Sequence, residues 1–175
     1  LTVQIMKSGF FQQLRTEQQL GYIVSTFAWP QLDVPGLVML IQSPVADAAA
    51  LSDAMSAFLG DVPLAVDEEQ FQRHRDALIN EVLRPHKNLW EQAEFYWQSI
   101  AKKQYEFNGR QTMANAIKSL SREQWQAYFE EVFLNQQRSL QVAAPGARGQ
   151  FPRGAGRSIE SAVQLKSGHA VYDIE

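Results

Sequence analysis

Apolar positions along the chain change period several times, and each change predicts an element. Val3, Met6, Phe10 and Leu14 recur at helical spacing, so one face of a first helix is expected to be buried while Gln12, Arg15 and Gln19 point elsewhere. Gly21 fits the residue after a helix that needs a positive φ. Beyond it, Tyr22 to Trp29 is rich in β-branched and aromatic residues, which predicts a strand opened by Tyr22. The run FFQQLRTEQQLGY, residues 10–22, therefore reads as a helix-to-strand junction with Arg15 on the last helical turns.

Two prolines and a glycine between Pro30 and Gly36 mark a turn, and Leu37 to Gln42 reads as a second strand. So short a connection implies an antiparallel hairpin. The second strand is an almost unbroken apolar run, LVMLI, which calls for cover on both faces or a central place in the sheet. After Ser43 and Pro44 the period becomes helical, with Leu51, Met55, Phe58 and Val62 as the stripe that packs on the sheet. Asp67 with Gln70 has capping-box spacing and opens a helix that Pro85 stops after Arg84, with Phe71, Leu78 and Val82 on its buried face. Asn88 with Glu91 and Ser121 with Gln124 open two more, carrying Trp90, Ala93, Trp97 and Ile100, then Trp125, Tyr128 and Val132. Between them Asn108-Gly109 is a stop and Thr112 to Leu120 a short helix. Arg138 to Ala144 alternates around Leu140 and Val142 and predicts a last strand returning to the sheet, ended by Pro145. The fold class is α+β, an antiparallel sheet with helices packed on one face. Residues 1–144 form one domain, and residues 145–175 a partly flexible tail whose stretch from Ser158 to Tyr172 could add a strand or a helix.

Composition narrows the classes. The 175 residues, 45% of them apolar, suffice for one packed core, and ten Phe, five Tyr and four Trp argue for a folded chain. A net charge of −3 gives no reason to expect nucleic acid or an anionic membrane as partner. There is no Cys for a disulfide or thiolate site, and no apolar run approaches the roughly 20 residues of a membrane span. The chain starts inside a helical pattern, as a piece of a longer polypeptide would.

The inventory of reactive groups is thin. His74, His86 and His169 never stand at the i, i+3 or i+4 spacing of a helical metal site, so no metal is expected in this chain. His74 sits among Asp67, Glu68, Glu69, Asp76 and Glu81, but Arg73 and Arg75 flank it, and a solvated charged helix is the plainer reading. No nucleophile elbow and no phosphate-binding glycine loop is present. The glycine and arginine tail carries only four basic residues in about thirty positions, a weak footprint for RNA. The clusters Phe95-Tyr96-Trp97 and Tyr128-Phe129 read as core and rim before they read as a ligand cage. Composition alone favours Arg15 paired with a carboxylate such as Glu17, and Tyr22 as a half-buried strand aromatic. The sharper alternative is that guanidinium and phenol, brought together where helix meets strand, hydrogen-bond the backbone or carboxylate of a bound peptide.

The run LRTEQQLGYIV, residues 14–24, closely resembles the helix-to-strand junction of the last domain in the pitrilysin and insulin-degrading-enzyme family of zinc metallopeptidases. A looser likeness extends to about Val142 and includes LSREQWQAYFEEV; the tail after Pro145 has no counterpart. The resemblance implies four homologous α+β domains in two bowl-like halves around a chamber, with an HxxEH zinc motif in the first and the fourth facing it. This chain has no HxxEH. It is thus similar to the metal-free C-terminal domain of such an enzyme, expected to be inactive alone, with zinc in the absent N-terminal half. The resemblance makes Arg15 and Tyr22 the residues that contact peptide substrate near the scissile bond. It implies a bacterial branch, pitrilysin-like or the peptidase of pyrroloquinoline quinone (PQQ) biosynthesis, and leaves cytoplasm and periplasm open. A non-catalytic assembly module on the same fold is the competing class, and an exposed patch at Trp90 or Trp97 with Arg15 buried in a salt bridge would favour it.

Overall fold

The computed structural model describes residues 1–31, 34–103, 105, 107–135, 139–144 and 158–167. Helix α1 (Thr2–Phe11) runs without a break into a π-helical stretch, Gln12–Glu17, and Gln18 ends it. Strands β1 (Ile23–Ala28) and β2 (Leu37–Gln42) pair antiparallel, Ile23 opposite Gln42 and Ala28 opposite Leu37. Helices α2 (Ala48–Ala65), α3 (Glu68–Leu83), α4 (Leu89–Ala101), α5 (Gly109–Ser119) and α6 (Arg122–Phe129) follow. A second π-helical stretch, Glu130–Asn135, continues α6, and a short α7 (Ala162–Ser167) lies beyond. The fold is α+β, with helices on one face of a two-stranded antiparallel sheet.

Local signals account for most helix ends. Asp67 and Ser121 each accept from the backbone N–H three residues on, while Gln70 and Gln124 accept the reciprocal bond, so both capping boxes form. Asn88 accepts from the Glu91 N–H, but the Glu91 carboxylate turns away to the Lys87 N–H (2.6 Å) and Arg84 (3.0 Å). The Lys87 N–H, then Arg84, holds the Glu91 carboxyl below its usual range. At the end of α3, Arg110 of α5 reaches back and donates to the carbonyls of Val82 (2.5 Å) and Arg84, satisfying groups a helix C-terminus leaves open. Its guanidinium also donates to His86 Nε2 (3.1 Å) and lies over the Phe95 ring.

The core lies between α1, α2, α3, α6 and the inner face of the sheet. Phe10 meets Phe58 edge-on at 5.1 Å, and Phe71, Trp125, Phe129 and Phe133 stack in succession. Met6, Leu14 and Val24 close it from the side of α1 and β1. Trp125 is buried and donates its indole N–H to Thr2, tying α6 to α1. Burying such aromatic side chains supplies the largest apolar contributions in a core of this size.

Several expectations need correction. Residues 139–144 form no strand, and Leu140 and Val142 are exposed; Arg138 lies outside the described residues. A run of two alternating apolar residues is too short to hold an edge without a partner. The second strand is covered by helices on one face only among the described residues, and the outer sheet face leaves Ile23, Phe27 and Leu40 exposed. Asn108-Gly109 starts α5 instead of marking a stop, and the short helix is Gly109–Ser119. The stretch from Ser158 to Tyr172 yields the helix α7, while 145–157 and 168–175 lie outside the described residues. Helix α4 has no buried residue, and Trp90 and Trp97 are largely exposed. Among the described residues no single helix is long and apolar enough to cross a membrane.

Candidate functional site

The junction predicted from the sequence is present, but it is built differently. Wider i→i+5 bonding in residues 12–17 ends with the Gln18 N–H on the Gln13 carbonyl (2.9 Å), and the Leu20 N–H returns to Leu14 (2.9 Å). Gln19 takes the left-handed conformation (φ 53°), and no described glycine does. Gly21 is therefore not the helix-terminating residue. It is required for proximity: a Cβ there would lie 2.5 Å from the Gln42 carbonyl oxygen and 2.9 Å from Ile41 Cγ2. Strand β1 then begins at Ile23, one residue after Tyr22, whose N–H donates to the Gln42 carbonyl (3.1 Å).

Arg15 and Tyr22 flank this junction. Leu14, beside Arg15, is fully buried and anchors the π stretch in the core; Tyr22 follows the clamp of Gly21 on β2 and is 55% exposed. The carboxylate pairing weighed for Arg15 does not form: Glu17 instead accepts from Gln12 Nε2 (3.4 Å), and no described ion pair includes Arg15. A half-buried guanidinium and an exposed phenol, neither used by a described salt bridge, are chemically suited to bind a carbonyl or carboxylate from outside the chain.

Beside the junction lies an open cavity of ≈ 510 Å³ that the sequence did not disclose. Helix α1 contributes Gln4, Lys7, Ser8, Phe11 and Gln12; β1 contributes Val24 to Thr26, and α3 contributes His74. The available signals were the polar stripe at Gln4, Ser8 and Gln12, four residues apart, and a Thr in the middle of an otherwise apolar strand. His74 is thus half-buried on a cavity wall and not a fully solvated surface residue. Burial, then the charge of Arg73, lowers its pKa from the ordinary histidine value. The rest of α3 does carry solvated pairs, Arg73 with Glu69 (3.6 Å) and Arg75 with Asp76 (3.6 Å). No group of three potential metal ligands occurs among the described residues.

The architecture is that of a pitrilysin-type domain: the crystal structure of pitrilysin superposes with a TM-score of 0.77 at 21% identity, over 95% of this chain and 18% of that one. The family model described as "PQQ synthase PqqF-like, C-terminal lobe domain 4" matches residues 1–97, and the chain belongs to that family, a C-terminal domain of the pitrilysin and insulin-degrading-enzyme peptidases. Human insulin-degrading enzyme is 32% identical over 135 residues, 75% of this chain and 13% of that protein. The peroxisomal insulin-degrading enzyme-like 1 of Arabidopsis thaliana is 29% identical over 150 residues, 82% and 16%. A putative zinc protease of Schizosaccharomyces pombe, mug138, is 31% identical over 132 residues, 74% and 14%. The chain spans about a seventh of the length of these relatives.

Proposed function

We propose that this chain is the metal-free, substrate-binding and chamber-closing domain of a zinc endopeptidase, whose zinc ligands lie in an N-terminal half. In this reading Arg15 and Tyr22 hold the peptide and polarise the carbonyl that a zinc-bound water attacks in the other half. The observation that carries it is the free state of the junction: a conformation fixed by the Gly21–Gln42 contact, with an arginine outside any described ion pair on its helical side and an exposed tyrosine on its strand side. The exposed faces of α4 and of the sheet supply apolar area against which the remainder of such an enzyme can pack. The family description favours a peptide processed in PQQ biosynthesis over general degradation.

An assembly module without catalysis is favoured by one observation, the exposure of Trp90 and Trp97. It is opposed by another, since Arg15 is not locked in a salt bridge among the described residues. Peptide hydrolysis by the whole peptidase carrying Arg15→Ala or Tyr22→Phe, with zinc content measured alongside, separates the two. A fall in kcat/KM of about tenfold or more, roughly 1.4 kcal/mol of transition-state stabilisation, with zinc retained is the expected result. Unchanged kinetics in both variants would leave the domain as scaffold.

A further inference from the structure

The backbone of Tyr22 is tied to the sheet through one atom, the carbonyl oxygen of Gln42, which accepts its N–H (3.1 Å). Gln42 is the last residue of β2 and lies opposite Ile23, so strand pairing restrains it from its N-terminal side. On the other side the chain turns at once toward α2. Strand ends of this kind fray unless the following residues hold them.

Ser43, half-buried, supplies that restraint. Its hydroxyl oxygen accepts from the backbone N–H of Ala46 (2.8 Å) and of Val45 (3.1 Å), closing a turn around the serine side chain. Pro44 adds a second restriction, because its ring confines the residue before it to extended backbone. The turn runs straight into α2, where Asp47 caps the helix by accepting from the Ala50 N–H (2.8 Å). Phe58 then seats α2 in the core, edge-on to Phe10. Ser43 thus stands between an anchored helix and the end of β2.

The link from Ser43 to Gln42 is covalent. The Gln42 carbonyl and the Ser43 nitrogen belong to one planar peptide unit, so whatever holds Ser43 also limits rotation of that carbonyl. Gly21 packs against the same oxygen from the opposite strand. The atom that holds Tyr22 is therefore fixed from two directions, by the Ser43 turn and by the close approach of Gly21.

We propose that Ser43 is a positioning residue for the peptidase reaction, acting on Tyr22 through the Gln42 carbonyl. The proposal rests on the reading that Tyr22 contacts the peptide; Ser43 itself touches no substrate. Functional side chains work when held within about 0.5 Å of the productive geometry, and a misplacement of about 1 Å can cost about a hundredfold in rate. A turn that holds the Gln42 peptide plane therefore bears on rate as well as on stability.

A double-mutant cycle in the whole peptidase tests it, with zinc content measured in every variant. Ser43→Ala removes the acceptor and is expected to lower kcat about threefold to tenfold, with KM changed less than about twofold. Ser43→Thr keeps the hydroxyl and is expected to restore most of the rate. In a Tyr22→Phe background the phenolic hydroxyl is already gone, so Ser43→Ala should then cost less than about twofold. The same loss in both backgrounds would make Ser43 a general stabiliser of the turn and overturn the proposal, as would unchanged kinetics of Ser43→Ala. Hydrogen exchange reads the link without reference to activity: the Tyr22 amide of Ser43→Ala is expected to exchange about tenfold faster than in the parent, with the Phe10 amide little changed. Unchanged exchange at Tyr22 would also overturn the proposal. An impaired Tyr22→Phe that shows no coupling to Ser43 removes the positioning role alone, whereas a fully active Tyr22→Phe removes the substrate-contact reading and the proposal with it.

Discussion

Gly21 and Gln42 meet backbone to backbone: a Cβ at Gly21 would lie 2.5 Å from the Gln42 carbonyl oxygen, closer than real Cβ contacts come. That carbonyl also accepts from the Tyr22 N–H, so the same atom sets the spacing of helix end and sheet. The obstructing atoms are backbone, which cannot rotate aside. Gly21→Ala is expected to cost about 2 kcal/mol or more, read as a lower urea midpoint with the slope unchanged. A variant as stable as the parent would show that the hairpin gives way freely there.

Gln19 presents the opposite case. Its left-handed conformation is one that a side chain resists and glycine accepts, and its side chain is exposed. Gln19→Gly is expected to raise stability by about 0.5–1 kcal/mol in the same assay, relief of strain exceeding the added freedom of the unfolded chain. A loss would mean that the glutamine side chain makes a contact the turn depends on.

Arg110 holds the end of α3 through two carbonyls and the region after it through His86 and Phe95. Arg110→Ala should destabilise by about 2 kcal/mol, the range for losing charged hydrogen bonds. Arg110→Lys should recover little, because one ammonium cannot reproduce the planar fork. Thermal unfolding of both variants checks this, and full rescue by lysine would point to charge alone.

The pH dependence follows from His74. Its folded pKa lies below its unfolded one, so below about pH 6.5 the unfolded chain takes up a proton more readily than the folded one. The part of the stability that depends on His74 is therefore expected to be flat above that point and to fall as pH drops through it, while burial of the Leu1 amine, which lowers its pKa, gives a separate decline below about pH 8. Glu91 and Glu123 are also lowered, by hydrogen bonds to Lys87 and to the Glu123 backbone first of all, and their contribution is lost only below about pH 4.5. Urea titrations at about pH 7.5, 6 and 5 should show the His74 decline, and His74→Gln should flatten it. A decline unchanged by that substitution would assign it to other groups.

What the sequence disclosed was what is decided locally. Both capping boxes rest on residues three apart, and of the α1 stripe Met6, Phe10 and Leu14 are buried as their spacing predicts, whereas Val3 is only partly covered and the buried Ile5 lay outside the expected stripe. The placement of Arg15 and Tyr22 on either side of the junction was legible for the same reason. Gly21 was legible as a constrained position but not for the right cause, because a positive φ and a close backbone approach select the same residue. The cavity was hidden because it depends on where Gln4 and Lys7 lie relative to Thr26, a relation set by packing and not by period. The strand expected from Arg138 to Ala144 shows the converse: over its described part, 139–144, Leu140 and Val142 have the alternation of a strand and no described neighbour to pair with.

The π-helical stretch at residues 12–17 can be regarded as an ordinary helix into which one residue has been inserted. Each side chain beyond the insertion trails the direction that a regular winding would give it, and Arg15 lies within it. The aim of the guanidinium is thus tied to that of its neighbour: removing one codon ahead of Leu14 would restore regular winding and keep Phe10 in the core, but would turn the buried Leu14 together with the arginine. The direction of Arg15 is therefore held by the same winding that seats Leu14, and a deletion that changed one would have to be met by repacking around the other.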